Sequence, residues 1–436
     1  SQKVSLPVRV TSFPPGATVR VNGAELAKTP ARIELPAGEE IALAVELAGY
    51  ATFKKRIERL EPADLELTVR LDRGALLTIR LPAPARAPPV LLDGKLLVAA
   101  GAAVLAYTPD ASQKLWSTGN LVTERAAKAL EAERRGLDDS PEWWHLQAPP
   151  QASKDGLLLE ATPLREIHAI KAADGTARVL FKLPAEPVGA GLVEPSSLLA
   201  GKTLLGVACV DGKVRVYDVG APHTPVWTQP IAEGELAATA PACGLLPLNP
   251  GSIVSVSHAG QLRAWDLATG RKLWDLAMGF EVMAIQAGVA EDKGRQACVL
   301  TTRKGRLVLV DLSKGTKVWD ILPTRPSDRF NAAALDAEHV YAVTRGGTLE
   351  AYAWSRTPGD EKPAWERPLD DTGPAPLASG GRIFVPTQSG LILAISAANG
   401  KEQWRFRCNG KPLHLAAGAK YLYVCTSEAE LVVLEK

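Results

Sequence analysis

The feature that most constrains this chain is a pattern that returns at a steady interval. Its clearest copy runs from Gly260 to Trp274 (GQLRAWDLATGRKLW) and reads as a strand, a turn and a second strand. Asp266 opens the turn, where its carboxylate can accept backbone N–H bonds, and Gly270 tolerates the positive φ that such turns need. Trp274 has a large apolar face that one small sheet cannot bury. We therefore expect it to dock against a neighbouring copy.

Further copies have a turn-opening residue that is followed, at the same or a longer distance, by a large apolar residue that is usually tryptophan. They are Asp311 to Trp319 and Ser396 to Trp404 at equal length, Asp218 to Trp227 and Ala353 to Trp365 with insertions, and the weaker Thr108 to Trp116 and Lys171 to Leu180. From Trp227 onward the tryptophans follow at roughly 40 to 47 residues, the period of a four-stranded propeller blade. The copies predict a β-propeller.

Strand counting predicts how this propeller is closed. Repeats start near Val90, Gln147, Ser196, Ala240, Val282, Asn331 and Pro374, and the tail 411–436 supplies only three more strands. A ring closes best when the two chain ends share a blade, because closure removes exposed sheet edges. Residues 74–82 contain the missing strand, Leu76 to Leu81, so we expect it to pair with Glu430 to Leu434 in the tail. The expected fold is eight-bladed, with seven blades as the alternative.

Residues 1–73 form a different module. Short alternating apolar runs are separated by turn residues, among them the hairpin dipeptide Asn22-Gly23, and this pattern predicts a small β-sandwich. The segments SFPPGATVRVNG, TPARIELPAG and VELAGY resemble the PEGA domain, with Pro14 to Ala17 at the position of the motif that names the family. Pro15 replaces the glutamate of that motif. The resemblance implies a non-catalytic module that lies outside the cytoplasm or on the cell surface.

The repeats in residues 74–436 resemble the pyrroloquinoline-quinone-type propeller family. Asp266, Thr269, Gly270 and Trp274 match its aspartate, Thr-Gly-Lys-like turn and tryptophan, and Trp265-Asp266 is similar to the dipeptide of WD repeats. The resemblance implies the fold. It does not imply one chemistry, because such propellers occur in enzymes, assembly factors and sensors.

One insertion, at about residues 119–146, interrupts the repeats. Val122, Ala126, Ala127 and Leu130 recur at helical spacing, which predicts a helix. In one interpretation this helix covers a propeller face and buries Trp143 and Trp144. In the other it projects as a partner-binding element in which Leu130, Trp143 and Trp144 are the anchors, because aromatic residues dominate interface energetics.

Neither the charge nor the chemistry-bearing residues favour a catalytic protein. The formal net charge of +2, from 50 basic and 48 acidic residues, gives no reason to expect nucleic-acid binding, and no apolar run is long enough to span a membrane. Because the chain begins with Ser1, an anchor outside it remains open. The five cysteines and six histidines lie apart, without metal or haem spacing, and we expect the thiols to be buried. No catalytic, cofactor-binding or metal-binding residue is predicted.

These observations predict a non-catalytic binding or scaffold protein without a cofactor. It would be the extracytoplasmic ligand- or partner-sensing region of a bacterial envelope protein, such as a receptor-type Ser/Thr kinase, or an envelope assembly factor. The expected partner is a protein or a component of the periplasm or cell surface. One alternative is a quinoprotein dehydrogenase, whose family uses adjacent cysteines against pyrroloquinoline quinone and a bound calcium ion; this chain has no Cys-Cys pair. A further alternative is a cytosolic WD-repeat scaffold.

Overall fold

The computed structural model describes residues 5–61, 64–85, 87–122, 151–152, 156–162, 164–185, 187–193, 203–221, 224–231, 242–248, 251–292, 295–325, 327–355 and 362–436. Within these ranges every regular element is a β-strand and no helix occurs. The prediction of an all-β protein is therefore confirmed. Of the residues on which the helix in the insertion is predicted, Val122 is described, whereas Ala126, Ala127 and Leu130 lie outside the described part of the chain.

The first module consists of two facing sheets. Its strands are β1 (Ser5–Phe13), β2 (Thr18–Val21), β3 (Ala24–Lys28), β4 (Ala31–Pro36), β5 (Ile41–Glu46), β6 (Phe53–Ile57) and β7 (Glu66–Arg70). They pair in the orders β4-β1-β7 and β3-β2-β5-β6. Along β5 every second side chain, Ile41, Leu43 and Val45, enters the core shared by the two sheets, as the period of two requires. Asn22 and Gly23 both have positive φ, as expected for a tight hairpin turn between β2 and β3.

The rest of the described chain forms eight four-stranded antiparallel sheets. Sheet 1 contains β9 (Val90–Leu92), β10 (Lys95–Ala100), β11 (Ala103–Tyr107) and β12 (Lys114–Ser117); sheet 2 contains β13 (Gln151–Ala152), β14 (Leu157–Ala161), β15 (Glu166–Lys171) and β16 (Ala177–Lys182); sheet 3 contains β17 (Pro187–Val193), β18 (Leu204–Cys209), β19 (Lys213–Asp218) and β20 (Trp227–Pro230); sheet 4 contains β21 (Ala242–Leu248), β22 (Ser252–Ser257), β23 (Gln261–Asp266) and β24 (Lys272–Ala277).

The remaining four sheets follow the same order. Sheet 5 contains β25 (Val282–Asp292), β26 (Arg295–Thr302), β27 (Leu307–Asp311) and β28 (Thr316–Ile321); sheet 6 contains β29 (Phe330–Leu335), β30 (His339–Thr344), β31 (Thr348–Ala353) and β32 (Trp365–Pro368); sheet 7 contains β33 (Leu377–Ser379), β34 (Arg382–Pro386), β35 (Leu391–Ser396) and β36 (Glu402–Arg407). Sheet 8 joins the chain ends: β37 (Pro412–Ala417), β38 (Tyr421–Thr426) and β39 (Glu430–Glu435) pair with β8 (Leu77–Arg80). In this last pair Leu431 lies opposite Ile79 and Val433 opposite Leu77.

Apolar clusters connect the sheets in a cyclic order. Seven clusters each join one sheet to the next along the chain, from sheet 1 through to sheet 8. An eighth cluster joins sheet 8 back to sheet 1, where Tyr423 and Cys425 pack with Leu96 and Val98. Each sheet therefore buries both of its faces, which explains why its middle strands are apolar runs without polar alternation.

A tryptophan on the outer strand of one sheet packs on the turn glycine of the next. A Cβ added to Gly270, which has a φ of 68°, would lie 2.7 Å from the Trp227 ring, and the indole N–H donates to the Leu267 carbonyl at 2.7 Å. The same contact occurs in the pairs Trp116–Gly175, Trp274–Gly315 and Trp365–Gly400. The expected docking of tryptophans between copies is confirmed at these joints. Trp274 is only partly buried, because it lies on an outer strand whose alternate residues are exposed.

The turn itself follows the chemistry expected from its sequence. The Asp266 carboxylate accepts hydrogen bonds from the Thr269 hydroxyl at 2.7 Å and from the Thr269 backbone N–H at 2.8 Å. These bonds stabilise the charged form and hold the pKa of Asp266 below its usual value. The turn thereby places Gly270 under the indole of the preceding sheet.

The joint between sheets 7 and 8 uses a different contact. Sheet 8 has no turn between its third and fourth strands, because β8 comes from the other end of the chain. The guanidinium of Arg73 lies 5.1 Å from the Trp404 ring centroid and pairs with Glu435 at 3.2 Å. Its backbone N–H donates to the Arg405 carbonyl, and Tyr50 of the first module packs against the apolar cluster between these sheets. The first module is thus held directly on the repeat region.

Candidate partner-binding face

The residues predicted to bind a partner, Leu130, Trp143 and Trp144, lie outside the described residues. Their role remains a prediction. The described chain does contain the start of the insertion that carries them, residues 119–122, and the strand β13 that follows it, residues 151–152.

The insertion leaves the repeat region at the joint between sheets 1 and 2. Leu121 donates its backbone N–H to the Ala102 carbonyl at 2.7 Å. Val122 is buried against Ala102, in the turn between β10 and β11, and against Leu164, in the turn between β14 and β15. The chain returns as β13, in which Gln151 pairs with Leu159. We call the surface formed by these two turns and residues 119–122 the insertion face.

A groove of about 590 Å³ opens on the insertion face beside the point where the insertion leaves. The groove is lined by β8 and the segment that follows it, by residues of sheet 1, and by the start of the insertion. The lining residues are mainly small or apolar, including Pro82, Ala83, Ala102 and Leu105. The charged side chains among them are both basic, Arg80 and Lys114. The groove therefore suits a segment that combines apolar side chains with acidic ones.

Glu160 lies buried at the same joint. Glu160 lies two residues after Leu158 in β14, so both side chains are on the same face of the strand, the face that packs towards sheet 1. In the pairing of β14 with β15, Glu160 lies opposite His168. Only 1% of Glu160 is exposed, and neither carboxyl oxygen has a hydrogen-bond partner among the described residues. Burial raises the pKa of Glu160 well above its usual value, which favours the neutral form of the carboxyl group. Sequence reasoning missed this residue, because nothing in the local pattern distinguishes it from an exposed glutamate.

His168 responds to the same environment in the opposite direction. Burial lowers the pKa of His168, an effect opposed by Glu166, whose carboxylate lies 3.4 Å from the imidazole Nε2. Both members of the Glu160–His168 pair therefore favour their uncharged forms. These are the directions in which burial shifts the pKa values of a carboxyl group and of an imidazole.

Neither a metal site nor a reactive thiol occurs in the part of the chain that the structure describes. Its histidine, cysteine and carboxylate side chains form no group of three that could hold an ion. Cys209, Cys298, Cys408 and Cys425 are free and buried, as expected for thiols that pack as apolar residues. Burial raises the pKa of Cys209 to about 11 and those of Cys298, Cys408 and Cys425 to about 12. In the described ranges no helix is long and apolar enough to cross a membrane.

Family profiles match both parts of the chain. The profile described as outer membrane protein assembly factor BamB matches residues 100–361 and 303–436, and the PEGA domain profile matches residues 5–74. These matches confirm the two resemblances found in the sequence.

A curated relative is the serine/threonine-protein kinase AfsK of Streptomyces griseus, 23% identical over 190 residues. That match covers 40% of this chain but only 22% of the kinase, so the chain spans about a fifth of that relative's length.

Three solved structures have similar folds. BamB from Moraxella catarrhalis gives a TM-score of 0.59 at 16% identity, over 83% of this chain and 97% of that chain. The computationally designed Ika8 protein gives 0.58 at 13%, over 83% and 98%, and Sqt1 of Saccharomyces cerevisiae gives 0.62 at 12%, over 84% and 99%. At these identities the likeness concerns the fold alone.

Proposed function

Because the chain belongs to the family described as outer membrane protein assembly factor BamB and carries a PEGA domain before its repeats, we propose that it is a non-catalytic binding protein of the bacterial envelope. The observation that carries this proposal is the joining of these two modules in one chain. A sandwich held on a repeat region presents extended surfaces. Such surfaces suit a protein that brings partners together.

We further propose that residues 74–436 form an eight-bladed propeller, following a first domain of residues 1–73. Two observations support eight blades rather than seven. The described part of residues 74–436 has eight four-stranded sheets, and the apolar clusters between them run in a cycle that returns from sheet 8 to sheet 1. The pairing of β8 with β39 would then close the ring through residues 74–82 and 411–436.

In this proposal the partner binds at the insertion face. The insertion is the largest departure from the repeat, and it leaves beside the groove that carries Arg80 and Lys114. Leu130, Trp143 and Trp144 would supply apolar anchors, while the two basic side chains would attract acidic groups of the partner. The partner would be a protein or envelope component that has an apolar and acidic segment.

Two versions of this function are distinguished by their partners. The kinase relative favours the partner-sensing region of a receptor-type Ser/Thr kinase outside the cytoplasm. In that version, partner binding would be transmitted as a signal to another domain. The family match favours an envelope assembly factor, in which binding itself is the function. Both versions place the chain in the periplasm or on the cell surface.

The test is a cross-linked capture from envelope extracts with the full chain as bait. Mass spectrometry identifies the captured protein, and purified partner then gives a dissociation constant. We expect Trp143→Ala with Trp144→Ala to lower the affinity more than about tenfold, as loss of two anchors should. The matched control is Leu273→Ala with Val226→Ala, two exposed apolar residues outside the insertion face and its groove. Equal affinity for all three proteins would remove the insertion as the partner site.

A further inference from the structure

The joint between sheets 5 and 6 departs from the packing of tryptophan on glycine. The turn of sheet 6 is lengthened between Ala353 and Trp365, and Trp319 of sheet 5 packs near Tyr352, with ring centroids 6.3 Å apart. A cavity of about 300 Å³ lies at this joint. Its walls come from both sheets, whereas the two neighbouring joints are packed by an indole on a glycine.

The floor of the cavity contains a buried carboxylate. Asp311, at the end of β27, is 8% exposed and lies beside Ala297 and Leu309. One of its oxygens accepts the backbone N–H groups of Ser313 at 3.0 Å and Lys314 at 3.2 Å. No cationic side chain of the described residues pairs with Asp311. A buried carboxylate ordinarily has a positive partner, because burying an unpaired charge is costly.

The opposite wall and the rim add an aromatic ring and a second carboxylate. Trp354 packs at the edge of the apolar cluster between the two sheets, and its buried indole N–H finds no hydrogen-bond acceptor in the part of the chain that the structure describes. Glu338 lies exposed at the rim, and no described side chain pairs with its carboxylate. The Asp336 carboxylate, by contrast, already accepts hydrogen bonds from two backbone N–H groups and from the Tyr341 hydroxyl. The remaining titratable group of the lining is His339.

We propose that this cavity binds a small organic cation, in which an ammonium group is carried on an apolar body. Asp311 and Glu338 would neutralise the charge, the face of Trp354 would attract it as aromatic rings attract cations, and Ala297, Leu309 and Val318 would contact the apolar body. The volume is at the lower end of known ligand pockets, which limits the ligand to a small molecule. This site is distinct from the partner-binding site proposed at the insertion face, because the cavity and the groove share none of their described lining residues.

The test compares two probes of nearly equal shape, phenethylammonium and neutral 2-phenylethanol. Binding to the full chain is measured by calorimetry and by tryptophan fluorescence at low and high salt. We expect saturable binding of phenethylammonium at one site, with an affinity about tenfold or more above that of 2-phenylethanol, because hydrogen bonds to a charged group are the stronger ones. Added salt should weaken only the ammonium probe.

Variants of the lining residues test the contributions of the carboxylates and of the Trp354 ring separately. Glu338→Gln, on an exposed side chain, should weaken the ammonium probe by roughly two- to fivefold, and Asp311→Asn by about tenfold. Trp354→Ala should weaken it by several fold, and Trp354→Phe by less. Glu366→Gln, the matched control outside the lining, should change nothing. Equal affinity for the two probes, no saturable binding of either, or unchanged binding in both carboxylate variants would overturn the proposal.

Discussion

Replacing Gly270 by alanine tests whether the packing of tryptophan on glycine holds neighbouring sheets together. Gly270 is buried, has a φ of 68° and lies under the Trp227 ring, where an added Cβ would come within 2.7 Å of a ring carbon. Carbon atoms pack best at about 3.5 to 4.0 Å, so the indole or the turn must move. The matched control is Gly279→Ala, where φ is 75° and nothing lies within 4 Å of the added Cβ.

The two substitutions share one cost and differ in the other. Alanine in the left-handed region costs about 1 to 2 kcal/mol at either position. Overpacking costs a further 1 to 3 kcal/mol, approximately, and only Gly270→Ala incurs it. We therefore expect a loss of about 2 to 5 kcal/mol in the free energy of unfolding for Gly270→Ala and about 1 to 2 kcal/mol for Gly279→Ala.

The assay is urea unfolding followed by circular dichroism, with hydrogen exchange of sheets 3 and 4 as a local measure that does not require two-state unfolding. In a Trp227→Ala background the space under the indole is empty, so Gly270→Ala should cost no more than Gly279→Ala does. Equal losses for the two glycine variants in the natural chain would refute the reasoning. So would a cost of Gly270→Ala that is unchanged by removing Trp227.

Three further predictions concern other parts of the chain. Glu160→Gln should flatten the dependence of stability on pH. Above pH 4.5 the folded chain keeps a proton on Glu160 that the unfolded chain has lost, because burial raises the pKa of this residue. The free energy of unfolding of the natural chain therefore falls as pH rises, by at most about 1.4 kcal/mol per pH unit. Urea unfolding midpoints of both proteins from pH 5 to 8 measure this effect, and an equal change of the midpoint with pH in both proteins would contradict it. His168 is present in both proteins, so it does not account for a difference between them. Deletion of residues 1–82 should remove β8 and cause aggregation in light scattering, whereas deletion of 1–72 should leave a folded repeat region; identical behaviour would contradict the role of β8. Titration with pyrroloquinoline quinone and calcium should give no saturable uptake and no dye-linked alcohol oxidation, and stoichiometric uptake would restore the quinoprotein alternative.

Much of the fold was predictable because its signals are local. The aspartate, glycine and tryptophan of each repeat lie within one hairpin, so Asp266, Gly270 and Trp274 could be identified from spacing alone. The missing strand of the tail followed from counting the strands of each repeat. In the first module, Asn22-Gly23 marked a hairpin that depends on two adjacent residues.

The features that sequence reasoning missed depend on residues far apart in the chain. Arg73 meets Glu435 across 362 positions, and no local pattern marks it as the group that covers Trp404. Glu160 reads as an ordinary strand glutamate until sheet 1 buries it. The cavity beside Trp354 is lined by residues of two different sheets, so no local pattern marks it. Leu130, Trp143 and Trp144 remain predictions from composition and spacing.

The pairing of β8 with β39 has a consequence for how the protein is made. Residues from the two strands are hydrogen-bonded partners although almost the whole repeat region is synthesised between them. During synthesis β8 emerges before the repeats, and its partner in the sheet, β39, is made only after them. Such long-range pairing folds slowly and exposes strand edges to aggregation in the meantime. A chain that stops before Glu430 leaves β8 and β38 both unpaired on that side, so premature termination should give an insoluble product even though every other sheet is complete.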